Sequence, residues 1–243
     1  MIMNRNPIQS LWIGSSLSLM EELCINSYLA NEHEFHLYTY NDISNIPYGT
    51  VVKDANSIIP EKDFFIDDFG SFASFADQFR FTLLYKLGGW WVDMDTVCLK
   101  PFDFESDFVF SSEHIDYYNR CGVVNNTYVK SKPGAKVIKD CLDFMSYRGH
   151  EHIHWGELGI TLLSRMIFRN GLEQNIKYPE YFCPVSYFHL DLLIGDANFI
   201  LSENSYSVHW WNEIWRRQGI NKNAKFSENS LYEILKSKYL KLV

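Results

Sequence analysis

Between Gly70 and Phe104 the chain runs through an amphipathic stretch, a glycine pair, a bulky apolar triplet and two aspartates at spacing two. That order constrains the fold more than any other part of the sequence. A helix must stop, turn back and feed a buried strand whose exit carries paired negative charge. Apolar residues fall at Phe72, Phe75, Ala76, Phe79, Leu83, Leu84 and Leu87. This 3.6-residue period predicts a helix over 72–87 with one broad buried stripe. Ser71 or Ser74 can cap its start. Gly88 and Gly89 end it, because glycine takes the left-handed conformation that a helix C-terminus favours. Trp90, Trp91 and Val92 then read as a short buried strand.

Asp93 and Asp95 follow that strand. In an extended chain they share a face, with Cα atoms roughly 6–7 Å apart. Two carboxylates about 5 Å apart repel by about 3 kcal/mol at an effective dielectric of 20. A divalent cation removes that cost, and carboxylate oxygens suit hard ions such as Mg²⁺ or Mn²⁺. A pair of solvated turn aspartates is the plain alternative. Placement at the C-terminal end of a strand, where open α/β sheets bind ligands, favours the cation. Asp77 and Arg80 are three apart on the preceding helix, so they share a face and can meet. A surface ion pair of little energetic worth is the alternative there.

Other motifs carry less. Asp93-Met94-Asp95-Thr96 is not the D-x-D-x-T of a phosphatase, because Val97 stands where that motif needs its threonine. Neither a G-x-x-x-x-G-K loop nor a GxGxxG loop is present. His150, His152 and His154 alternate, but the neighbouring Gly149 argues for a loop rather than a metal-binding strand.

Along the chain, Ile8–Ile13 reads as the first strand and Ser18–Glu21 as a capping box opening a helix to about Asn31. Residues 34–40 alternate as a second strand, and Val51-Val52 suggests a short third. Further strands are expected at 108–111 and 122–125, helices at 135–145 and 158–168, and a final helix opened by a second capping box at Ser230–Glu233. Its apolar side is expected to hold Leu231, Ile234, Leu235, Tyr239 and Leu242. Alternating elements imply an α/β domain with a largely parallel sheet.

The segment around the aspartates resembles glycosyltransferase family 32, the DXD-motif sugar transferases, and is similar to the catalytic domains of the clostridial glucosylating toxins. The shared pattern is Ser/Ala-x-x-Asp-x-x-Arg, then Leu-x-x-x-Gly-Gly, an aromatic, x-Asp-x-Asp and a later proline. The resemblance implies a single GT-A-like domain, Rossmann-like, with a mixed, largely parallel sheet flanked by helices. It further implies a nucleotide-sugar donor, a divalent cation and retention of anomeric configuration. On that footing Asp93 and Asp95 are metal ligands, and Asp77 and Arg80 contact the donor. Ile8–Gly14 resembles the first strand of the family, with Trp12 lining the base pocket. Asn126 resembles a donor-binding asparagine. Trp155–Gly159 resembles a Gly-Pro segment in which Ile160 replaces proline, and Glu157 there is the candidate for shaping the donor-sugar pocket. His209–Trp215 resembles a segment that closes the metal site. Ile214 replaces the usual serine, which leaves the third metal ligand between His209 and Asn212. Trp211 or Trp215 is expected to form part of a lid ordered by donor.

The charge is −8 over 243 residues, which argues against nucleic acid as a partner. Residues 216–243 carry seven basic and two acidic side chains, so this basic helical extension holds +5 and residues 1–215 hold −13. It reads either as a solvated helix or as a peripheral dock onto anionic lipid beside a lipid-linked oligosaccharide acceptor. Five scattered cysteines without C-x-x-C spacing suggest buried thiols in a reducing compartment. With no leader-like start and no long apolar run, we expect a cytoplasmic enzyme, at the inner face of the membrane if the basic helix docks. The function expected is a metal-dependent retaining transfer of hexose, from a donor such as a UDP-sugar, to a glycan acceptor in capsule- or lipopolysaccharide-type synthesis. The alternatives are a protein-glycosylating enzyme of the same fold and a catalytically silent sugar-binding module.

Overall fold

The computed structural model describes residues 6–68, 70–116, 121–196 and 199–240. In chain order it contains β1 (Ile8–Trp12), α1 (Leu19–Ala30), β2 (Phe35–Thr39), β3 (Val51–Asp54), α2 (Ala73–Leu87), β4 (Gly89–Val92), β5 (Thr96–Cys98), β6 (Val109–Asp116), β7 (Cys121–Ser131) and α3 (Lys136–Arg148). Then come α4 (Leu162–Arg169), α5 (Pro179–Phe182), α6 (Asp191–Ile194), β8 (Ser207–His209), α7 (Asn212–Arg217) and α8 (Leu231–Tyr239). A π-helical turn over Glu157–Thr161 leads into α4.

Six strands form one sheet in the order β3-β2-β1-β4-β7-β6. The first four run parallel, β7 is antiparallel to β4, and β6 is antiparallel to β7. This is the α/β architecture expected from the sequence. From β1 the chain fills positions to one side (β2, β3) and then crosses to the other (β4). The strand order therefore reverses between β1 and β4, which opens a crevice at the C-terminal ends of both strands. Trp90 and Trp91 point to opposite faces of the sheet and anchor two separate apolar clusters. Most aromatic rings are spent on these cores: Phe102 and Phe182 pack against Trp90 and Tyr128 within ring-to-ring distances of 4.8–6.4 Å.

Local chemistry explains the long elements. Ser18 and Glu21 form the expected capping box at α1. At α2 the Ser71 hydroxyl accepts from the Ala73 amide at 3.0 Å. Gly88 ends this helix at φ 65°, and a Cβ there would stand 2.6 Å from Pro133 Cδ and 2.7 Å from Pro133 N, so the turn into β4 admits no side chain. Three expectations need correction. Asp93–Asp95 is not extended: β4 ends at Val92 and the aspartates occupy a turn into β5. Ile234 is half exposed rather than on the packed side of α8. The Ser230 capping box is one-sided: the hydroxyl accepts from the Glu233 amide, but the Glu233 carboxylate takes the Phe226 amide and Lys236 instead.

β5 pairs antiparallel with β8, with Thr96 opposite His209. This small second sheet carries the end of the chain back to the aspartate turn. The tail also docks on the first helix, where Lys222 pairs at 2.6 Å with the buried Glu21 carboxylate and Asn223 Oδ1 accepts from the Leu19 amide. The basic C-terminal segment keeps its +5, because Glu228 and Glu233 are already in that sum, but several of its cations have carboxylate partners. Arg216 and Arg217 pair with Glu213, Lys225 with Glu228 and Lys236 with Glu233. Among the described residues no helix is long and apolar enough to cross a membrane. Cys24, Cys141 and Cys183 are buried free thiols and Cys98 is buried, while the Cys121 side chain lies outside the described residues.

Candidate functional site

A cleft of about 810 Å³ opens where the strand order reverses, lined by Trp12 from β1, Asp77 and Arg80 from α2, Asp93 and Asp95 from the turn, Asn126 from β7 and His209, Trp211 and Asn212 from the end of the chain. A cleft at this point of an open α/β sheet is where ligands bind.

One hydrogen-bonded chain crosses its floor. Asn126 Nδ2 donates to Asp77 Oδ1 at 2.7 Å, and Arg80 Nη1 donates to the same oxygen at 2.6 Å. Arg80 Nη2 donates to Asp93 Oδ1 at 2.7 Å, and so does Trp91 Nε1. Arg80 is 4% exposed and lies 5.0 Å from the Trp91 ring centre. Burial dominates Asp77 and, against the opposing pull of Arg80, raises its pKa to about 6. Arg80 thus meets two carboxylates inside the fold, which is a different object from a surface ion pair.

Asp95 is held from the far end of the chain. Its Oδ2 accepts from the Asn212 backbone amide at 2.8 Å and faces His209 Nε2 at 3.2 Å. Burial pushes its pKa up, but His209 and the amide hydrogen bonds outweigh burial and hold it below the usual carboxylate range. Asn212 reaches this place because Trp211 adopts a left-handed backbone, φ 60° and ψ 46°, uncommon for a bulky residue and frequent where function fixes geometry. Its indole Nε1 donates to Val185 O at 2.9 Å, and its ring lies 3.9 Å from that of His209.

Among the described residues no group of three or more His, Cys, Asp and Glu side chains is arranged to hold a metal. Asp93 Oδ2 nevertheless takes no hydrogen bond, and Asp95 Oδ1 takes none from another residue, among the described residues. A pair of carboxylate oxygens on one cleft floor suits a hard divalent cation whose other positions are filled by water or ligand oxygens.

Trp12 lines the cleft and is pinned by its Nε1 donating to Ser16 O at 3.0 Å. Two expected residues are placed elsewhere. Glu157 is outside the cleft lining, its carboxylate taken by Arg148 at 2.7 Å and the His154 amide at 2.9 Å. Trp215 is fully buried against Trp210, Phe226 and Tyr232, not beside the cleft. In the same segment Gly159 is the residue that meets the cleft's charged floor. It packs so closely that an added Cβ would land on Asp77 Oδ2 and within 2.6 Å of Asn126 Nδ2. His150, His152 and His154 sit in a loop; His150 stacks on Phe65 at 3.9 Å and His152 faces Asp68. Trp155, from the segment expected to resemble the Gly-Pro element, lines the cleft, and so do two residues that the sequence did not single out, Glu113 and Tyr187. No short motif marks them, because strand irregularity and chain return bring them in.

Comparison with known proteins agrees with this geometry. Residues 20–115 match the model of the "glycosyltransferase sugar-binding region containing DXD motif", a span that includes Asp77, Arg80, Asp93 and Asp95. No curated protein sequence matches the chain significantly. Among solved structures, the chain resembles one described as PaToxG glycosyltransferase at 16% identity and a TM-score of 0.51, over 68% of this chain and 69% of that one. A second, described as a transferase mutant, aligns at 14% identity and a TM-score of 0.41 over 72% and 91%. The first likeness establishes a shared fold, and the aspartate pair lies within the span matched to the family model.

Proposed function

We propose that this protein is a metal-dependent, retaining glycosyltransferase of the family 32 type. It would move a hexose from a nucleotide-sugar, a UDP-sugar by preference, to a glycan acceptor such as a growing capsule or lipopolysaccharide-type chain. The observation that carries this reading is the chain Asn126–Asp77–Arg80–Asp93, which fixes the aspartate turn at the reversal point of the sheet while Asp93 Oδ2 takes no hydrogen bond among the described residues.

Each residue has a task on this reading. Asp93 and Asp95 hold a Mn²⁺ or Mg²⁺ ion, with His209 or the Asn212 side chain as third protein ligand. When bound, the ion neutralises charge on the departing nucleoside diphosphate, as a Lewis acid does. Asp77 accepts hydrogen bonds from donor hydroxyls. Arg80 keeps Asp77 and Asp93 oriented and adds positive charge beside the phosphates. Trp12 offers a ring face to the base. Trp211, buried in the cleft wall and joined to the Asp95 contact, would form part of a cover over a bound donor.

The test is incubation with Mn²⁺ and a panel of UDP-sugars, following release of UDP and glycosylated product by mass spectrometry. Turnover that disappears with chelator and in Asp95→Ala is the expected result. Turnover near the wild-type rate with chelator present would overturn metal dependence. Donor binding without any turnover would favour a silent sugar-binding module.

A further inference from the structure

The cleft contains a carboxylate that the aspartate turn and its Asp77–Arg80 neighbours do not use. Glu113 lies on β6 where Ser112 pairs with Val124 and His114 pairs with Val123, so Glu113 has no partner across the ladder. Such a bulge bends a strand and re-aims a side chain. Here it directs Glu113 to the cleft wall. Asn125 Nδ2 donates to Glu113 Oε2 at 3.2 Å, and Asn125 is itself buried, its Oδ1 accepting from the Thr127 amide at 2.7 Å. The nearest group to Oε1 is His114 Nδ1 at 3.5 Å, too far for a good hydrogen bond. No described lysine or arginine pairs with this carboxylate. It is a fixed acceptor whose Oε1 takes no hydrogen bond among the described residues.

Strand order gives Glu113 a place on the substrate path. Along the C-terminal edge of the sheet β1 presents Trp12, β4 leads to Asp93, β7 presents Asn126 and β6 presents Glu113, in that spatial order. Neighbouring strands lie about 4.8 Å apart, so Glu113 stands roughly 10 Å beyond Asp93, on the side away from Trp12. A base, a diphosphate and a sugar laid along this edge reach β7, and the next group to be met is the acceptor. The wall beside Glu113 is aromatic. Tyr187 lines the cleft edge-on to Trp211, with ring centres 5.4 Å apart, and burial together with the nearby Glu113 charge raises the pKa of its hydroxyl. A ring face beside a carboxylate matches a sugar, whose C–H face stacks while its hydroxyls donate.

We propose that Glu113 binds the acceptor, that its Oε1 takes a hydrogen bond from the hydroxyl receiving the transferred sugar, and that the acceptor is itself a carbohydrate. This rests on the glycosyltransferase reading of the same cleft. The experiment compares wild type with Glu113→Gln and Glu113→Ala, using Mn²⁺ and UDP-glucose, UDP-galactose or UDP-N-acetylglucosamine as donor, and p-nitrophenyl monosaccharides as acceptors. UDP affinity with Mn²⁺ is measured alongside by calorimetry. In both variants acceptor KM should rise, and the ratio of transfer to donor hydrolysis should fall, by roughly tenfold to a hundredfold, the range for one hydrogen bond to a charged group. UDP affinity should stay at the wild-type value. Unchanged acceptor KM and ratio overturn the proposal, as does a fall in UDP affinity that matches the loss of transfer. A wild type that hydrolyses donor yet glycosylates none of the sugars also overturns it, leaving the glycosyltransferase reading intact. A wild type that neither hydrolyses donor nor binds UDP defeats that reading and this inference together.

Discussion

Asp77 is the residue whose physics and task oppose each other most directly. Its folded pKa, about 6, is raised above the ordinary 3.8 by burial. A raised carboxyl pKa means that the stability linked to Asp77 is fully present below the unfolded value and is lost as pH rises through about 6. On the proposed reading donor binding needs the ionised form, so kcat/KM should fall on the acid side with an apparent pKa near 6. Asp77→Asn should separate the two effects. We expect transfer to drop at least about tenfold, while the melting temperature at pH 7.5 equals or exceeds that of wild type and the difference shrinks by pH 5. Gly159→Ala tests the same spot from the other side, since its Cβ would land on Asp77 Oδ2. Circular dichroism should stay native and activity should collapse; a fully active variant would show that Asp77 has room to move. This pair was half legible in the sequence. Asp77 and Arg80 are one helical turn apart and announce themselves by spacing, and Asp93 is within hydrogen-bond reach of Arg80 through a short glycine turn. Gly159 and Glu113 could not be found that way, because a π-helical turn and a strand bulge place them and neither has a periodic signature.

Legibility at the level of elements follows length. The helices α1, α2 and α3 each span three turns or more, enough for an apolar stripe to repeat, and their expected bounds are close to those observed. The strands β5 and β8 have three residues each, and α5, α6 and α7 have four to six, too few for any period to show. Yet β8 and α7 deliver His209 and Asn212 to Asp95, so the least readable elements complete the site. Trp215 anchors α7 to α8 through Tyr232 and Phe226. Trp215→Ala should therefore cost about 3–5 kcal/mol in urea unfolding, as large core truncations do. It should also weaken Mn²⁺-dependent UDP binding, which loss of a surface residue would not.

Across the whole molecule, ligand binding should appear as stability. UDP with Mn²⁺ at about a hundred times its dissociation constant should add about 2.7 kcal/mol, seen as a rise in melting temperature that chelator reverses. UDP without metal should do much less if Asp93 and Asp95 hold the ion. The local field of the basic segment is milder than its sum suggests, since Arg216 and Arg217 share Glu213 and Lys222 meets Glu21, both carboxylates from residues 1–215. Any attraction to anionic vesicles should accordingly be weak and vanish at moderate salt. The closure of the tail on the first helix, through Lys222 on Glu21 and His209 opposite Thr96, has a further consequence during synthesis. A nascent chain that has emerged as far as β7 already owns the six-stranded sheet, but α1 still shows an uncovered acidic patch and Asp95 still lacks its clasp. On the proposed reading such an intermediate cannot yet grip substrate, because Asp95 gains His209 and Asn212 only once β8 and α7 have emerged.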